Sequence, residues 1–162
     1  LGGILMSSLS TNLNGQTTLD IIAFQLGAQT FCIETTSVRE IRGWAASTPL
    51  PHTSAEVLGV INLRGTVIPT IDLARKLGMR PCETTERSAI VVVEVHGKPM
   101  GLVVDQVTDM LSVTADQLQP PPEITGSIDR SCCEGIITHA TGMICFLHLT
   151  NMFALGDEAI AA

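Results

Sequence analysis

Short apolar runs, alternating with polar residues and broken by glycine, proline and asparagine, cover most of the chain. Leu19–Leu26 alternates and is rich in Ile and Phe, which predicts a strand. Gly27-Ala28-Gln29 reverses it, and Thr30–Glu34 returns as the second strand of a hairpin. Ser37–Ile41 predicts a third strand, its alternation placing Val38, Glu40 and Arg42 on one face and Arg39 and Ile41 on the other. Gly43 to Ser54, with Pro49 and Pro51, reads as a loop or crossover. Two β-branched runs, Val57–Ile61 and Thr66–Ile71, then flank a tight reversal at Asn62-Leu63-Arg64-Gly65. Asn early and Gly late suit a type I turn closed by a left-handed residue, which lifts Arg64 onto a hairpin tip. Pro69 cannot donate to a ladder, which predicts an edge strand or a bulge. Asp72 is placed to cap a short helix, Leu73 to Leu77, stopped at Gly78.

Met79 to Glu86 is a polar connection to a second series. Ala89–Val95 is an unbroken apolar run, as expected of a strand buried on both faces. His96-Gly97-Lys98-Pro99 turns it into Met100–Val104, and Val107–Val113 follows. Pro120-Pro121-Pro122 stiffens an extended connection, because each ring fixes φ. Ile136-Ile137, a turn near Thr141-Gly142 and Met143–Leu149 form the last pair of runs, with Thr150 capping a terminal helix that ends near Leu155.

The two series can be laid on each other. Phe31-Cys32-Ile33 meets Met100-Gly101-Leu102, Val38 meets Val107, and Glu40 meets Asp109. Gly59-Val60-Ile61 meets Gly135-Ile136-Ile137, and Leu73 meets Leu149. Each half thus reads hairpin, third strand, crossover, hairpin, short helix, about five short strands. Sheets this small curl into barrels, which reduces exposed edges. The expected organisation is mainly β: a flexible segment over 1–16, a domain over 17–156 with barrel halves at approximately 17–80 and 88–155, and a tail over 157–162.

Composition narrows the function. Aromatic residues are only 3% and the net charge is −7, which disfavours nucleic acid, a ligand that calls for cationic stripes and stacking rings. Five cysteines, without a Cys-x-x-Cys pair, fit a reducing cytoplasm better than a disulfide framework. No apolar run reaches the roughly 20 residues needed to cross a bilayer, so direct membrane insertion is not expected. Leu1 to Gly15 lacks the charged start and apolar stretch of a secretory signal and is expected to be mobile.

The candidate chemistry is sparse. His52, His96, His139 and His148 share no metal-ligand spacing, and His148 alternates with Ile144 and Phe146 like a core or rim residue. Asp72 and Asp105 read as a cap and a turn residue. Trp44, between Gly43 and two alanines, is expected to be partly buried. No glycine-rich phosphate loop opens a helix, and no cofactor is implied. Cys132-Cys133, near Glu134 and His139, can be drawn as a thiol nucleophile and base, and this thiol-dependent enzyme is the competing reading from another class. An unrelated tandem-barrel binding module is the third.

Several of these residues also carry a family likeness. Val38-Arg39-Glu40-Ile41-Arg42-Gly43, then Gly59-Val60-Ile61-Asn62-Leu63-Arg64-Gly65 running into Pro69-Thr70-Ile71-Asp72-Leu73, resembles the CheW family of bacterial chemotaxis coupling proteins. Gly101-Leu102-Val103-Val104-Asp105 and the stretch from Leu118 to Pro122 match the second half of that pattern, and the likeness runs from Leu19 to Leu155. It implies a non-catalytic cytoplasmic adaptor of two intertwined five-stranded SH3-like barrels, joining the cytoplasmic tip of methyl-accepting transmembrane chemoreceptors to the histidine kinase CheA. The matching positions for receptor contact are Val38, Glu40 and Arg64, with Gly59, Gly65 and Gly101 as turn or structural supports. Kinase contact is implied at exposed strand edges of the second half, and no motif assigns its residues. Phe31-Cys32 departs from the family, which often has Tyr-Gly or Phe-Gly there.

Overall fold

The computed structural model describes residues 9–11, 17–51, 53–81, 84–120, 133–139 and 142–153. The first half contributes β1 (Leu9–Thr11), β2 (Thr17–Leu26), β3 (Gln29–Glu34), β4 (Val38–Gly43), β5 (Val57–Leu63), β6 (Thr66–Asp72) and helix α1 (Leu73–Lys76). The second contributes β7 (Ala89–Val95), β8 (Lys98–Val104), β9 (Gln106–Thr114), β10 (Leu118–Gln119), β11 (Cys133–His139), β12 (Gly142–Leu147) and helix α2 (Leu149–Met152). The protein is mainly β, as its alternating pattern implies.

The strands form two sheets, and each draws on both halves. One runs β1-β2-β3-β12-β11-β10, with β9 also paired to β2; the other runs β4-β7-β8-β6-β5. The parallel pairings β3/β12 and β6/β8 bring distant parts of the chain side by side. The second sheet has the five strands expected. The first adds two short ones, β1 and β10. Three residues of the amino-terminal segment expected to be mobile, Leu9–Thr11, thus pair with Thr17–Leu19 and cover backbone that β3 does not reach. Likewise, part of the expected extended connection is β10, paired to Ile136 and Ile137; Pro121 and Pro122 lie outside the described residues.

Side chains from the two faces of the sheets fill three clusters. Phe24, Leu26, Phe31 and Ile33 of one sheet meet Val91, Val93, Leu102 and Val104 of the other, together with both helices, in the largest. Leu19, Ile21, Cys32, Val113, Ile144 and Phe146 pack within the first sheet, and Ile68, Ile90, Val92 and Val103 within the second. Strand β7 feeds two clusters by alternation, which is why Ala89 to Val93 are all buried. Burying each of its Ile and Val side chains contributes about 1.5–3 kcal/mol. Gly101 lies mid-strand in β8, where an added Cβ would stand 2.7 Å from Ile90 Cγ2.

The second sheet curls. Strands β4 and β5 are its opposite edges, about 19 Å apart if four spacings of about 4.8 Å lay flat. Yet the chain just beyond β4 bonds to β5: Thr48 and Val60 exchange both backbone hydrogen bonds at 2.9 Å. Gly59 makes room for this crossing, since a Cβ there would fall 2.2 Å from the Thr48 carbonyl oxygen. Trp44 is half-buried beside the cluster within this sheet.

Two local expectations are corrected. Pro69 is not on an edge strand: β6 lies between β8 and β5, but β8 pairs only with Thr70–Asp72, so the missing N–H falls where no neighbour calls for it. The terminal helix begins one residue before Thr150, and His148, not Thr150, is its N-cap. Asp72 does cap α1, accepting from the Arg75 N–H at 3.3 Å, and Gly78 ends that helix at φ +80°.

Candidate functional site

The β5–β6 hairpin closes in two residues. Leu63 pairs directly with Thr66, leaving Arg64 at φ +50° and Gly65 at φ +88°. Two successive positive φ values mark a primed hairpin turn, whose twist matches that of the strands. The expected type I turn is therefore corrected: Arg64 itself adopts the left-handed conformation, which ordinarily costs a side-chain-bearing residue about 1–2 kcal/mol. Asn62 Oδ1 accepts from the Gly65 N–H at 2.9 Å and helps hold the turn.

Arg64 projects from this tip with 72% of its side chain exposed, and its Nη2 donates to Glu40 Oε1 at 2.7 Å. Glu40 is 23% exposed and takes a second bond from Arg42 Nη1 at 3.3 Å. The hydrogen-bonded Arg64 guanidinium holds the Glu40 carboxyl below the usual carboxylate range; burial opposes this and Arg42 reinforces it. One carboxylate thus orients two guanidiniums, leaving a local surplus of positive charge on a chain whose net charge is −7. Arg39 pairs separately with Glu94. Val67, on the outer face of the same hairpin, is an exposed apolar neighbour in sequence.

Val38 does not share a face with Glu40. A bulge shifts the register, so that Val38 lies opposite Val93 and Glu40 opposite Val92. Directly paired residues share a face, and neighbouring residues of β7 point to opposite faces. Val38 accordingly packs, half-buried, against the cluster between the sheets, while Glu40 and Arg42 take the other side. Strict alternation along β4 hid this. Arg42 was readable only as a same-face neighbour of Glu40; its two-residue spacing was the available signal.

The remaining candidates are dispersed. Gly65 has nothing within 4 Å of an added Cβ, so its conformation alone calls for glycine. Asp105 does act in a turn, its Oδ2 accepting from the Gly27 N–H at 2.7 Å. His96 sits at the β7–β8 turn with φ +53°. Among the described residues, no group of three or more His, Cys, Asp or Glu side chains could hold a metal ion. Cys132 and the side chains of Glu134 and His139 lie outside the described residues, as does His52. Burial, with smaller contributions from Cys133 and Glu34, pushes the Cys32 thiol far up, which disfavours its thiolate. No described helix is long and apolar enough to cross a membrane.

Known proteins resemble this chain in both sequence and fold. The CheW-like domain family matches residues 20–156. The chain is 47% identical over 142 residues to a probable chemotaxis protein CheW of Rhizobium etli, covering 88% of this chain and 92% of that protein. It is 45% identical, with the same coverage, to the chemotaxis protein CheW of Rhizobium meliloti. Among solved structures, the scaffolding protein TtCheW of Thermoanaerobacter tengcongensis matches with a TM-score of 0.78 and 31% identity, over 86% of this chain and 94% of that one. Sharing both this sequence pattern and this fold, the chain belongs to the CheW-like family.

Proposed function

We propose that the protein is a non-catalytic cytoplasmic scaffold that couples transmembrane chemoreceptors to the histidine kinase CheA in bacterial chemotaxis. Family membership supports the chemotaxis scaffold. The observation that carries the receptor contact is Arg64, exposed at a two-residue turn and held at 2.7 Å by Glu40. A guanidinium already oriented loses less freedom on docking than one that must first be ordered. Arg64 and Glu40 face the receptor tip, and Val38 adds the uncovered part of its side chain from β4. The kinase is engaged through strand edges of the second half. With both faces occupied in one array, tethering raises effective concentration, so modest pairwise affinities suffice.

The test measures binding of a receptor cytoplasmic-tip fragment by calorimetry. Arg64→Ala is expected to weaken binding about thirtyfold, the equivalent of about 2 kcal/mol for a central arginine anchor. Its melting temperature should stay close to the parent's, because an exposed ion pair contributes only about 0–1 kcal/mol. Receptor binding at parental strength would remove Arg64 from the interface.

A further inference from the structure

Strands β11 and β12 carry two thiols that the adaptor reading does not use. Cys133 Sγ lies 3.0 Å from Cys145 Sγ, and both residues are half-buried. Cys133 pairs with Leu147 and Ile136 with Cys145, so the two cysteines are diagonal neighbours on one face. In a regular ladder such neighbours stand about 7–8 Å apart, Cα to Cα, beyond the about 4.4–6.8 Å that a disulfide spans. Here a bulge between Cys133 and Gly135 breaks the register and draws the first residue of β11 toward β12.

We propose that Cys133 and Cys145 are an oxidisable dithiol, which small-molecule disulfides of the glutathione class convert to an intrachain disulfide stapling β11 to β12. Closing the gap needs a shift of about 1 Å, since a formed bond is about 2.05 Å long. Cys145 packs against the cluster between the sheets, so Cys133, at the strand end, reacts first. Its thiolate attacks one sulfur of oxidised glutathione and releases one glutathione thiolate. The Cys145 thiolate then attacks the Cys133 sulfur of the mixed disulfide, forming the internal bond and releasing the second. Two electrons pass to the oxidant, and the two protons end on the two released thiols. Cys32, fully buried in the opposite cluster with its thiolate disfavoured, stays out of the exchange. Because Cys145 lies opposite Phe31 in the parallel β3/β12 pairing, the staple sits where the amino-terminal hairpin joins the second half.

The experiment incubates the full chain with oxidised glutathione, quenches with acid and digests without reduction on the carboxyl side of Glu134, which separates the two cysteines. Mass spectrometry is expected to find a fragment joining the Cys133 segment to the Cys145 segment, lost on adding dithiothreitol. The Cys132→Ser protein should form the same link, which distinguishes Cys133 from its neighbour. Oxidation should also raise the melting temperature of the parent and not that of Cys145→Ser. Recovery of Cys133 and Cys145 as thiols after equilibration, or a link that vanishes in Cys132→Ser, would overturn the assignment.

Discussion

Replacing Gly59 by alanine tests whether the crossing of the β4–β5 connection over β5 is a structural requirement. An added Cβ would stand 2.2 Å from Thr48 O, 2.6 Å from Thr48 C and 3.0 Å from Pro49 Cα. All three are backbone atoms, so no side-chain rotation relieves the overlap. The connection must lift away, which breaks the two Thr48–Val60 hydrogen bonds of 2.9 Å. At about 0.5–1.5 kcal/mol each, those bonds account for about 1–3 kcal/mol. The residue at φ +151° adds strain of about 1–3 kcal/mol once it carries a side chain. The sum, about 2–6 kcal/mol, corresponds to a fall of about 4–24 °C in melting temperature at about 2–4 °C per kcal/mol. Gly65→Ala is the control, since it meets no atom within 4 Å and bears only the cost of φ +88°, about 1–2 kcal/mol. Thermal melting followed by circular dichroism should rank the parent first, Gly65→Ala second and Gly59→Ala last. If Gly59→Ala melts at or above Gly65→Ala, the close approach is not what requires glycine at position 59.

Glu40 should titrate below the ordinary carboxylate value of about 4.3, because Arg64 and Arg42 stabilise its charged form. A carboxyl lowered on folding contributes stability that is present above its unfolded pKa and is lost as pH falls through the folded one. Carboxyl NMR should therefore show the midpoint moving up in Arg64→Ala, and an unmoved midpoint would deny the pairing in solution. Gly101→Ala pushes a Cβ to 2.7 Å from Ile90 Cγ2 in the buried core. Overpacking of this kind costs about 1–3 kcal/mol, to be read as a lower urea midpoint with an unchanged slope.

How far the chain could be read depends on the range of the interaction. Local features came through: the buried run of β7, the Asp72 cap and the approximate strand limits all follow from neighbouring residues. The likeness between halves indicated two units, but pattern alone cannot say which strands pair. The exchange that puts β4 beside β7 and β12 beside β3 is set by side-chain packing across large separations. The bulge at Val38 and Glu40 escaped because one extra residue reverses the facing of everything before it. The hairpin pattern exposes Arg64 but does not give its left-handed backbone, since arginine seldom adopts that conformation. Its partnership with Glu40 depends on the curl of the sheet, which no short window of residues encodes.

The parallel seam between β3 and β12 also bears on synthesis. As the chain leaves the ribosome, the amino-terminal hairpin emerges early, while the strand that seals its open side is among the last described segments to appear. At about 5–20 residues per second, that hairpin waits several seconds with a bare edge. Neither sheet can be completed from the first half alone, so the native structure forms only once both halves have been made.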